Sequence, residues 1–340
     1  MTDKPLVAVS GASGYIALHV IRELLQRGYP VRGTLRDLAR GEQVKQALAA
    51  HVEPTGLEFV AADLLADDGW GAAVADCRYL LHLASPLPLG PPKEEDELIA
   101  PARDGAVRAL RAAAEAGVER VVMTSSVAAV IYDNSRQPPF DEDSWSDPAR
   151  DIGAYAKSKT LAERAAWAFM DELPAERPME LVTINPSLVL GPLLDPDGSA
   201  SVEAVRKMLA RDMPGLPRIG FGIVDVRDVA TAHVEAMTEA AAAGRRYICS
   251  GEFVWLGEIA RILAEAYGDR GYRVPRRELP NWAVRLAALF DPTVRLVTDQ
   301  LGLRNDFDTT RIQEDLHWQA RPVKETVLDT ADSLIAHGLV

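Results

Sequence analysis

The chain has 340 residues, of which 48% are hydrophobic and 26% charged, and its formal net charge at pH 7 is −13. Because a nucleic-acid surface needs clustered Lys and Arg, this acidic balance argues against a DNA or RNA partner. No apolar run approaches the roughly 18 to 20 residues of a membrane span, and residues 1–9 lack the features of a secretory signal. Two cysteines, Cys77 and Cys249, are too few for a disulfide framework or a metal cluster, so no metal site is predicted. The composition predicts a soluble, cytoplasmic protein that acts on a small molecule.

The start of the chain predicts a β-α-β unit with glycines in its first crossover. Residues 6–10 form a short, continuously apolar run, typical of a buried parallel strand, and an apolar stripe at helical spacing follows. Residues 31–35 predict the next strand. The crossover reads Gly11-x-x-Gly14-x-x-Ala17, a spacing that lets the backbone approach a pyrophosphate at a helix N-terminus. The same glycines would also suit a turn in an unrelated α/β protein.

The second predicted strand ends in a basic residue, where an acidic residue often holds a ribose 2′-hydroxyl. This residue is Arg36, with Asp37 one place later. Because a guanidinium can pair with a 2′-phosphate and stack on adenine, we predict NADP(H) as the cofactor, with Arg36 as the main discriminator. Arg32 or Arg40 is a candidate for an additional contact with the 2′-phosphate. A solvated loop charge is the alternative interpretation of Arg36.

Strands and helices continue to alternate after this unit. Further strands are predicted at residues 57–61, 79–83 and 118–124, and a helix at about 94–116. This alternation predicts an α/β fold with a Rossmann-type, doubly wound parallel sheet. Ligands collect at the carboxyl ends of the strands in such a sheet. The residues that fall at these ends include the glycines, Arg36, Asp63, Ala84 and Ser126.

A helix predicted between residues 151 and 170 carries a candidate proton donor. Tyr155 and Lys159 are four residues apart and therefore project from one face. A phenol is a poor acid or base near neutrality unless its phenolate is stabilised, and an ammonium one turn away supplies that stabilisation. The hydroxyl of Ser126 can then hold a substrate carbonyl. By itself, Tyr-x-x-x-Lys would more often be two surface residues, but here it accompanies Ser126 and a dinucleotide unit.

These motifs resemble the extended short-chain dehydrogenase/reductases. Within that family, the sequence is most similar to the group of dihydroflavonol reductases, cinnamoyl-CoA reductases and microbial aldehyde/ketone reductases. The resemblance covers nearly the whole chain. Besides the glycine motif, it rests on residues 31–37, Ala62-Asp63-Leu64, residues 82–86, Thr124-Ser125-Ser126, Tyr155-x-x-x-Lys159, residues 160–163, Asn185-Pro186-Ser187, residues 224–230 and residues 246–250.

The resemblance implies a site as well as a fold. It implies that Ser126, Tyr155 and Lys159 are the catalytic triad, that Tyr155 is the general acid in reduction, and that Lys159 binds the nicotinamide ribose. It also implies that Asp63 and Leu64 border the adenine, with Pro186 and Ser187 beside the nicotinamide. The residues predicted to contact the cofactor are Gly11, Ser13, Gly14, Tyr15, Ile16, Arg36, Asp63, Leu64, Leu83, Ala84, Ser85, Thr124, Tyr155, Lys159, Pro186 and Ser187.

Two departures from the plant enzymes bear on the substrate. Ile131 stands where the flavonoid enzyme has an Asn that grips its substrate, five residues after the catalytic Ser. The Asn-Trp-Tyr-Cys stretch of cinnamoyl-CoA reductase is absent, and residues 153–156 read Gly-Ala-Tyr-Ala. The sequence therefore predicts an NADPH-dependent aldehyde or ketone reductase, which also runs in reverse as an alcohol dehydrogenase, with an undefined carbonyl or alcohol substrate.

The second half predicts a smaller substrate lobe. We place the NADP-binding domain at residues 1–190 and the lobe mainly at 191–340, interleaved with returning sheet elements near 223–250. The segments predicted to line the substrate pocket are 86–95, 131–145, 187–222 and 275–305. A sugar-nucleotide epimerase or dehydratase is a weaker alternative, since Val127-Ala128 replaces the acid/base pair that it needs. A non-catalytic NADP-sensing protein is another alternative, and the chain is expected to be a monomer or a homodimer.

Overall fold

The structure is a computed structural model, and it describes residues 4–86, 94–133, 135–174, 176, 178–197, 200–295 and 298–340. Parts of all four segments predicted to line the substrate pocket lie outside the described residues, namely residues 87–93, 134, 198, 199, 296 and 297.

Strands and helices alternate through most of the chain. The strands are β1 (Val7–Ser10), β2 (Val31–Leu35), β3 (Leu57–Ala61), β4 (Tyr79–His82), β5 (Arg120–Thr124), β6 (Glu180–Pro186), β7 (Leu188–Leu190), β8 (Leu216–Pro217), β9 (Gly220–Asp225), β10 (Arg246–Cys249), β11 (Phe253–Trp255) and β12 (Glu278–Leu279). The α-helices are α1 (Tyr15–Gln26), α2 (Gly41–Ala49), α3 (Trp70–Val74), α4 (Asp96–Ala116), α5 (Gly153–Asp171), α6 (Glu203–Leu209), α7 (Val226–Thr238), α8 (Leu256–Tyr267), α9 (Asn281–Ala287), α10 (Pro292–Arg295), α11 (Thr310–Leu316) and α12 (Val323–Ala336).

Seven strands form one parallel sheet in the order β10-β6-β5-β4-β1-β2-β3. One apolar core packs α1 and α7 against one face, and a second packs α3, α4 and α5 against the other. This confirms the predicted Rossmann-type α/β fold. Because all seven strands run the same way, their carboxyl ends share one edge of the sheet, to which the predicted site residues belong.

Local chemistry accounts for where the helices end. Gly28 and Gly117 follow α1 and α4 with φ of 79° and 75°, the left-handed conformation that suits glycine at a helix C-terminus. Helix α7 ends at Thr238. The buried Arg120 guanidinium donates hydrogen bonds to the carbonyls of Ala236 and Glu239, so these terminal carbonyls are satisfied by a side chain rather than by another helical turn.

A separate apolar core organises the second half. It joins α6, α8 and α12 to a small sheet of β7, β9 and β11 and to the two-stranded pair of β8 and β12. Within the described residues, β10 is the strand that the second half contributes to the large sheet, where it pairs with β6. Both cysteines are buried and free. Within the described ranges, no helix has the length and apolarity needed to cross a bilayer.

Candidate active site

The glycine turn after β1 brings two strand ends into contact. Gly11 has a φ of 69°, and its amide donates to Thr34 Oγ1 at 3.0 Å. A Cβ at Gly11 would lie 3.1 Å from the Ala84 Cα, so the turn after β1 packs directly on the turn after β4. Glycine is therefore required here both for its backbone conformation and for the close approach.

The start of α1 leaves its first amides without a side-chain partner. Gly14 is the N-cap residue and supplies no capping hydrogen bond. Half-buried Ser13 precedes it, and Tyr15 and Ile16 begin the helix. The Tyr15 hydroxyl donates to the Gly191 carbonyl at 2.9 Å, so its side chain reaches the second half of the chain and only its amide faces the turn. An uncapped helix N-terminus beside tight glycines fits a pyrophosphate.

Ser10, which the sequence prediction did not single out, organises the turn after β4. Its Oγ accepts from the amides of Leu83 and Ala84, both at 2.9 Å, and lies 3.0 Å from His82 Nδ1. Because the one hydroxyl proton is then directed to Nδ1, His82 is a neutral acceptor, and its burial lowers its pKa to about 4. The two amides place Leu83, Ala84 and Ser85 beside the glycine turn.

The three arginines near the end of β2 have different surroundings. Arg36 is exposed at the strand end, as predicted for a group that meets a 2′-phosphate. Arg32 is tied at the opposite end of the strand, where it bonds Glu58 at 2.6 Å and the Ala75 carbonyl at 2.5 Å. The structure therefore contradicts the prediction that Arg32 helps at the phosphate. Arg40 lies near the rim, where it pairs with Asp197 from the second half of the chain.

Asp63 and Leu64 follow β3, at the same edge of the sheet. Asp63 Oδ1 accepts from the Leu65 amide at 3.0 Å, and the Asp63 carbonyl accepts from the Trp70 indole at 2.9 Å. Leu64 packs closely on α4, because a Cβ at Gly105 would lie only 2.8 Å from its Cδ2. The loop is thus held by its own turn and by the helix behind it.

The three predicted catalytic side chains meet at the centre of this edge. Ser126 follows β5, and its hydroxyl accepts from the Ala128 amide at 3.1 Å. The Tyr155 phenol, in the first turn of α5, lies next to Ser126. Lys159 is buried one turn further on. Burial raises the Tyr155 pKa above its usual value, and the Ser126 hydrogen bond opposes this rise.

The pKa of Lys159 moves towards neutrality. Burial lowers it to about 8, and the negative charge of Glu163 opposes this fall. Tyr155 is therefore a neutral phenol at pH 7, and Lys159 is mostly an ammonium. This is the protonation state that a proton donor with an adjacent stabilising charge requires.

Residues at the ends of β5 and β6 complete this part of the edge. The Thr124 hydroxyl lies 2.7 Å from His233 Nε2, so the Thr124 side chain turns towards α7. Pro186 ends β6, and the Ser187 amide donates to the Cys249 carbonyl at 3.1 Å. The Ser187 hydroxyl is buried and has no hydrogen-bond partner in the described part of the chain. Such an orphaned polar atom fits a bound polar group, as a nicotinamide carboxamide would be.

Glu163 is a second residue to which the sequence prediction gave no role, although its motif was part of the resemblance. It is fully buried in α5 and accepts hydrogen bonds from donors on β6 and β10 and from Ser125, which follows β5. The donors are Ser125 Oγ at 2.6 Å, Thr183 Oγ1 at 2.9 Å, Asn185 Nδ2 at 2.8 Å and Arg246 Nε at 2.7 Å. The spacing of one helical turn after Lys159 was a signal in the sequence, but its partners are far away along the chain.

An apolar wall stands beside Ser126 on the substrate side. Val127, Ile131 and Phe307 pack on one buried cluster, and residue 140 forms a bridge with Phe307. A Cβ at Gly222 would lie 3.2 Å from the Phe307 ring and 3.3 Å from Ser187 Cβ, so this ring comes close to the predicted nicotinamide edge. Parts of the predicted pocket segments 131–145 and 187–222 therefore meet here, and Phe307 lies two residues beyond the predicted segment 275–305. Among the described residues, no group of three or more His, Cys, Asp or Glu is arranged to hold a metal ion.

Comparisons with known proteins agree with this geometry. A family model described as the NAD dependent epimerase/dehydratase family matches residues 7–250. The cinnamoyl-CoA reductase CAD2 of Medicago truncatula is 37% identical over 269 residues, which are 77% of this chain and 81% of that protein. The dihydroflavonol 4-reductase of Zea mays is 33% identical over 284 residues, which are 81% of this chain and 78% of that protein. Yeast methylglyoxal/isovaleraldehyde reductase Gre2, solved in complex with NADPH, has a TM-score of 0.81 and 28% identity, covering 98% of this chain and 100% of that chain.

Proposed function

Because this chain belongs to the NAD dependent epimerase/dehydratase family and is a nicotinamide-dependent oxidoreductase, we propose that it is an NADPH-dependent reductase of an aldehyde or ketone carbonyl. The reverse oxidation of the alcohol uses the same groups. The observation that carries the proposal is the placement of three side chains: Ser126 follows β5 at the carboxyl edge of the sheet, Tyr155 lies next to it in the first turn of α5, and the buried Lys159 is one turn further along that helix.

Each of the three residues has one role. NADPH, when bound, supplies the hydride. The Ser126 hydroxyl binds the carbonyl oxygen and orients it towards Tyr155. Tyr155 Oη donates the proton to that oxygen as it gains negative charge, and the Lys159 ammonium stabilises the resulting phenolate.

The cofactor would lie along the shared edge of the sheet. Its pyrophosphate would bind the amides of the glycine turn and the start of α1, and Asp63 and Leu64 would border the adenine. Pro186 and Ser187 would face the nicotinamide, where the orphaned Ser187 hydroxyl supports their assignment. Arg36, exposed and at the end of β2, would pair with the 2′-phosphate.

The apolar wall favours a substrate with an apolar substituent next to its carbonyl. Val127 and Ile131 offer no hydrogen bond to a polyhydroxylated ring, and Ile131 replaces the amide that would hold a flavonoid. The same wall disfavours the sugar-nucleotide epimerase or dehydratase alternative. The retained Tyr155 and Lys159 disfavour the non-catalytic alternative.

The test is NADPH consumption with a panel of aliphatic aldehydes, aryl ketones, diketones and sugar nucleotides. We expect turnover of apolar aldehydes or ketones and none of the sugar nucleotides. Tyr155→Phe is expected to bind NADPH as the parent does and to lose about 100-fold or more in kcat, since only the proton donor is removed. Undiminished turnover by Tyr155→Phe, or consumption with sugar nucleotides alone, would contradict the proposal.

The division at residue 190, the cytoplasmic location and the monomeric or dimeric state stay predictions. Size-exclusion chromatography with light scattering would decide the last of these.

A further inference from the structure

We propose that Glu163 is a positioning residue of this active site, which aligns the strand ends around Ser126 and balances the charge of Lys159. The inference rests on the proposed function, because it assigns Glu163 a task only if Ser126, Tyr155 and Lys159 carry the reaction.

The contacts of Glu163 reach each element that carries the chemistry. Ser125, which donates to one carboxylate oxygen, directly precedes Ser126. Asn185 donates to the same oxygen at 2.8 Å and to the Ser126 carbonyl at 3.2 Å. It also directly precedes Pro186 and Ser187, so one side chain connects the catalytic serine to the predicted nicotinamide edge.

The donors require an acceptor that carries no hydrogens. Four close donor groups converge on the two oxygens of Glu163, two on each at 2.6 to 2.9 Å, and the Trp167 indole adds a longer contact of 3.5 Å to one of them. A carboxylate has about four lone-pair sites and can accept them all, whereas an amide would turn two of its own N–H groups towards these donors. Because the side chain is fully buried, such unsatisfied donors would be costly.

The buried carboxylate is also part of a charge arrangement. On β10, the largely buried Arg246 pairs with it at 2.7 Å, and Arg246 also donates to the carbonyls of Glu142 and Ser144. Lys159 lies one turn before Glu163 on α5. Although burial alone would raise the pKa of Glu163, Arg246 and the hydrogen bonds outweigh it, and the pKa is lowered.

The other groups around Lys159 do not replace this charge. On β4, His82 is neutral at pH 7 because burial lowers its pKa to about 4. Tyr155, on α5 itself, is a neutral phenol. The charged groups of α4 that line the groove beside Ala165 of α5 are Arg103, Asp104, Arg108 and Arg111, and Glu95 at the start of α4 is paired with Lys157. Arg103 pairs with Asp104, and Arg108 pairs with Asp67. The negative charge that acts on Lys159 therefore comes from Glu163.

The experiment is the pH profile of kcat/KM for carbonyl reduction, with Glu163→Gln against Thr183→Val as the matched control. The alkaline limb reports proton loss from the coupled Lys159 and Tyr155 pair. Removing the carboxylate charge lowers the Lys159 pKa, so the limb in Glu163→Gln should move to lower pH by about one unit. The kcat at pH 7 should fall more than the KM for NADPH changes. Thr183→Val removes one hydrogen bond of the carboxylate but not its charge, and its limb should stay at the parental pH.

A limb in Glu163→Gln at the parental pH would overturn the proposal, as would an equal shift in Thr183→Val. If the unpaired Arg246 prevents Glu163→Gln from folding, Glu163→Gln/Arg246→Met removes both buried charges together. The same downward shift is expected in this double variant, because Arg246 is not among the groups that set the Lys159 pKa. If Tyr155→Phe keeps its turnover, the proposed function fails. If Tyr155→Phe is inactive but the alkaline limb of Glu163→Gln stays at the parental pH, only the role of Glu163 is contradicted.

Discussion

The two ends of the cofactor groove are built by different means. At the predicted nicotinamide end, Lys159, Glu163 and Arg246 are buried charges whose hydrogen bonds cross from α5 to three strand ends. At the predicted adenosine end, the strands approach through small residues, and the charge that meets the ligand, Arg36, is exposed.

This difference between buried and exposed charges predicts that the nicotinamide end governs catalysis and the adenosine end governs the choice of cofactor. A buried charge acts through a low dielectric and is expensive to leave unpaired, so its partners must be placed accurately. An exposed charge is screened by water and salt, and its replacement disturbs little else. We therefore expect substitutions at the nicotinamide end to change the rate strongly, and those at the adenosine rim to change cofactor preference moderately.

The largest effect should come from Lys159→Met, with Lys157→Met as the control from the same helix. Loss of the buried ammonium removes the stabilisation of the Tyr155 phenolate, and kcat at pH 7 should fall about 100-fold or more. Lys157 is paired with Glu95 at 2.8 Å, and its loss should leave kcat within about twofold. The measurement is kcat at saturating NADPH; equal losses in the two variants would break the distinction between buried and exposed charge.

The parental enzyme should lose activity as the pH rises through about 8, where the buried Lys159 releases its proton. The sign follows from the lowered pKa: below it, Lys159 is an ammonium that stabilises the phenolate, and above it the amine is neutral. The pH profile of kcat/KM should fall above about pH 8 in the parent. The profile of Lys159→Met should not show this fall. A parental profile without loss up to pH 10 would contradict the role of Lys159.

The close packing of the adenosine end predicts a loss of stability in Gly33→Ala. A Cβ at Gly33 would lie 2.7 Å from the Ala12 Cβ and 3.0 Å from the Phe59 ring, so the glycine turn must shift. Overpacking of this kind costs about 1 to 3 kcal/mol in the free energy of unfolding. Gly71→Ala, in α3, meets nothing within 4 Å and should be neutral or slightly stabilising. Urea unfolding of the two variants compares them, and equal stabilities would show that the turn accommodates the methyl group.

Cofactor preference should change by a smaller factor in Arg36→Asp. Replacing the exposed guanidinium with a carboxylate removes a charge-assisted hydrogen bond to the 2′-phosphate, so the ratio of kcat/KM for NADPH to that for NADH should fall about tenfold. The preference of the parent should also weaken as salt is added. An unchanged ratio in Arg36→Asp would assign the phosphate to another group.

The smallest effect is expected from Asp197→Asn, which releases Arg40 from its ion pair at the rim. The freed guanidinium can then approach the 2′-phosphate, and the KM for NADPH should fall by no more than about threefold, as is typical of exposed pairs. A rise in that KM would show that Asp197 holds Arg40 in the orientation that the cofactor uses.

Much of the fold could be predicted because its signals are local. The strand at residues 57–61 and the helix end at Gly117 follow from short runs of apolar residues and from a left-handed glycine. Arg32 could not be placed in this way. Arg32 is the second residue of β2 and so lies near the amino end of the strand, and its hydrogen bonds to the carbonyls of Ala72 and Ala75 show which way its side chain turns.

The sequence by itself determined the class of sheet and the order of its elements, and it led to the proposal of Ser126, Tyr155 and Lys159 as the catalytic residues. Periodicity, glycine chemistry and the spacing of one helical turn are properties of neighbouring residues, and they act before the chain folds. The tertiary structure decided how these groups are held. The Ser10 contacts with residues 82–84 and the Glu163 network join residues that are tens of positions apart. Such partners become neighbours only when the parallel strands are aligned side by side in the sheet, because burial then forces each polar group to find an acceptor or donor there.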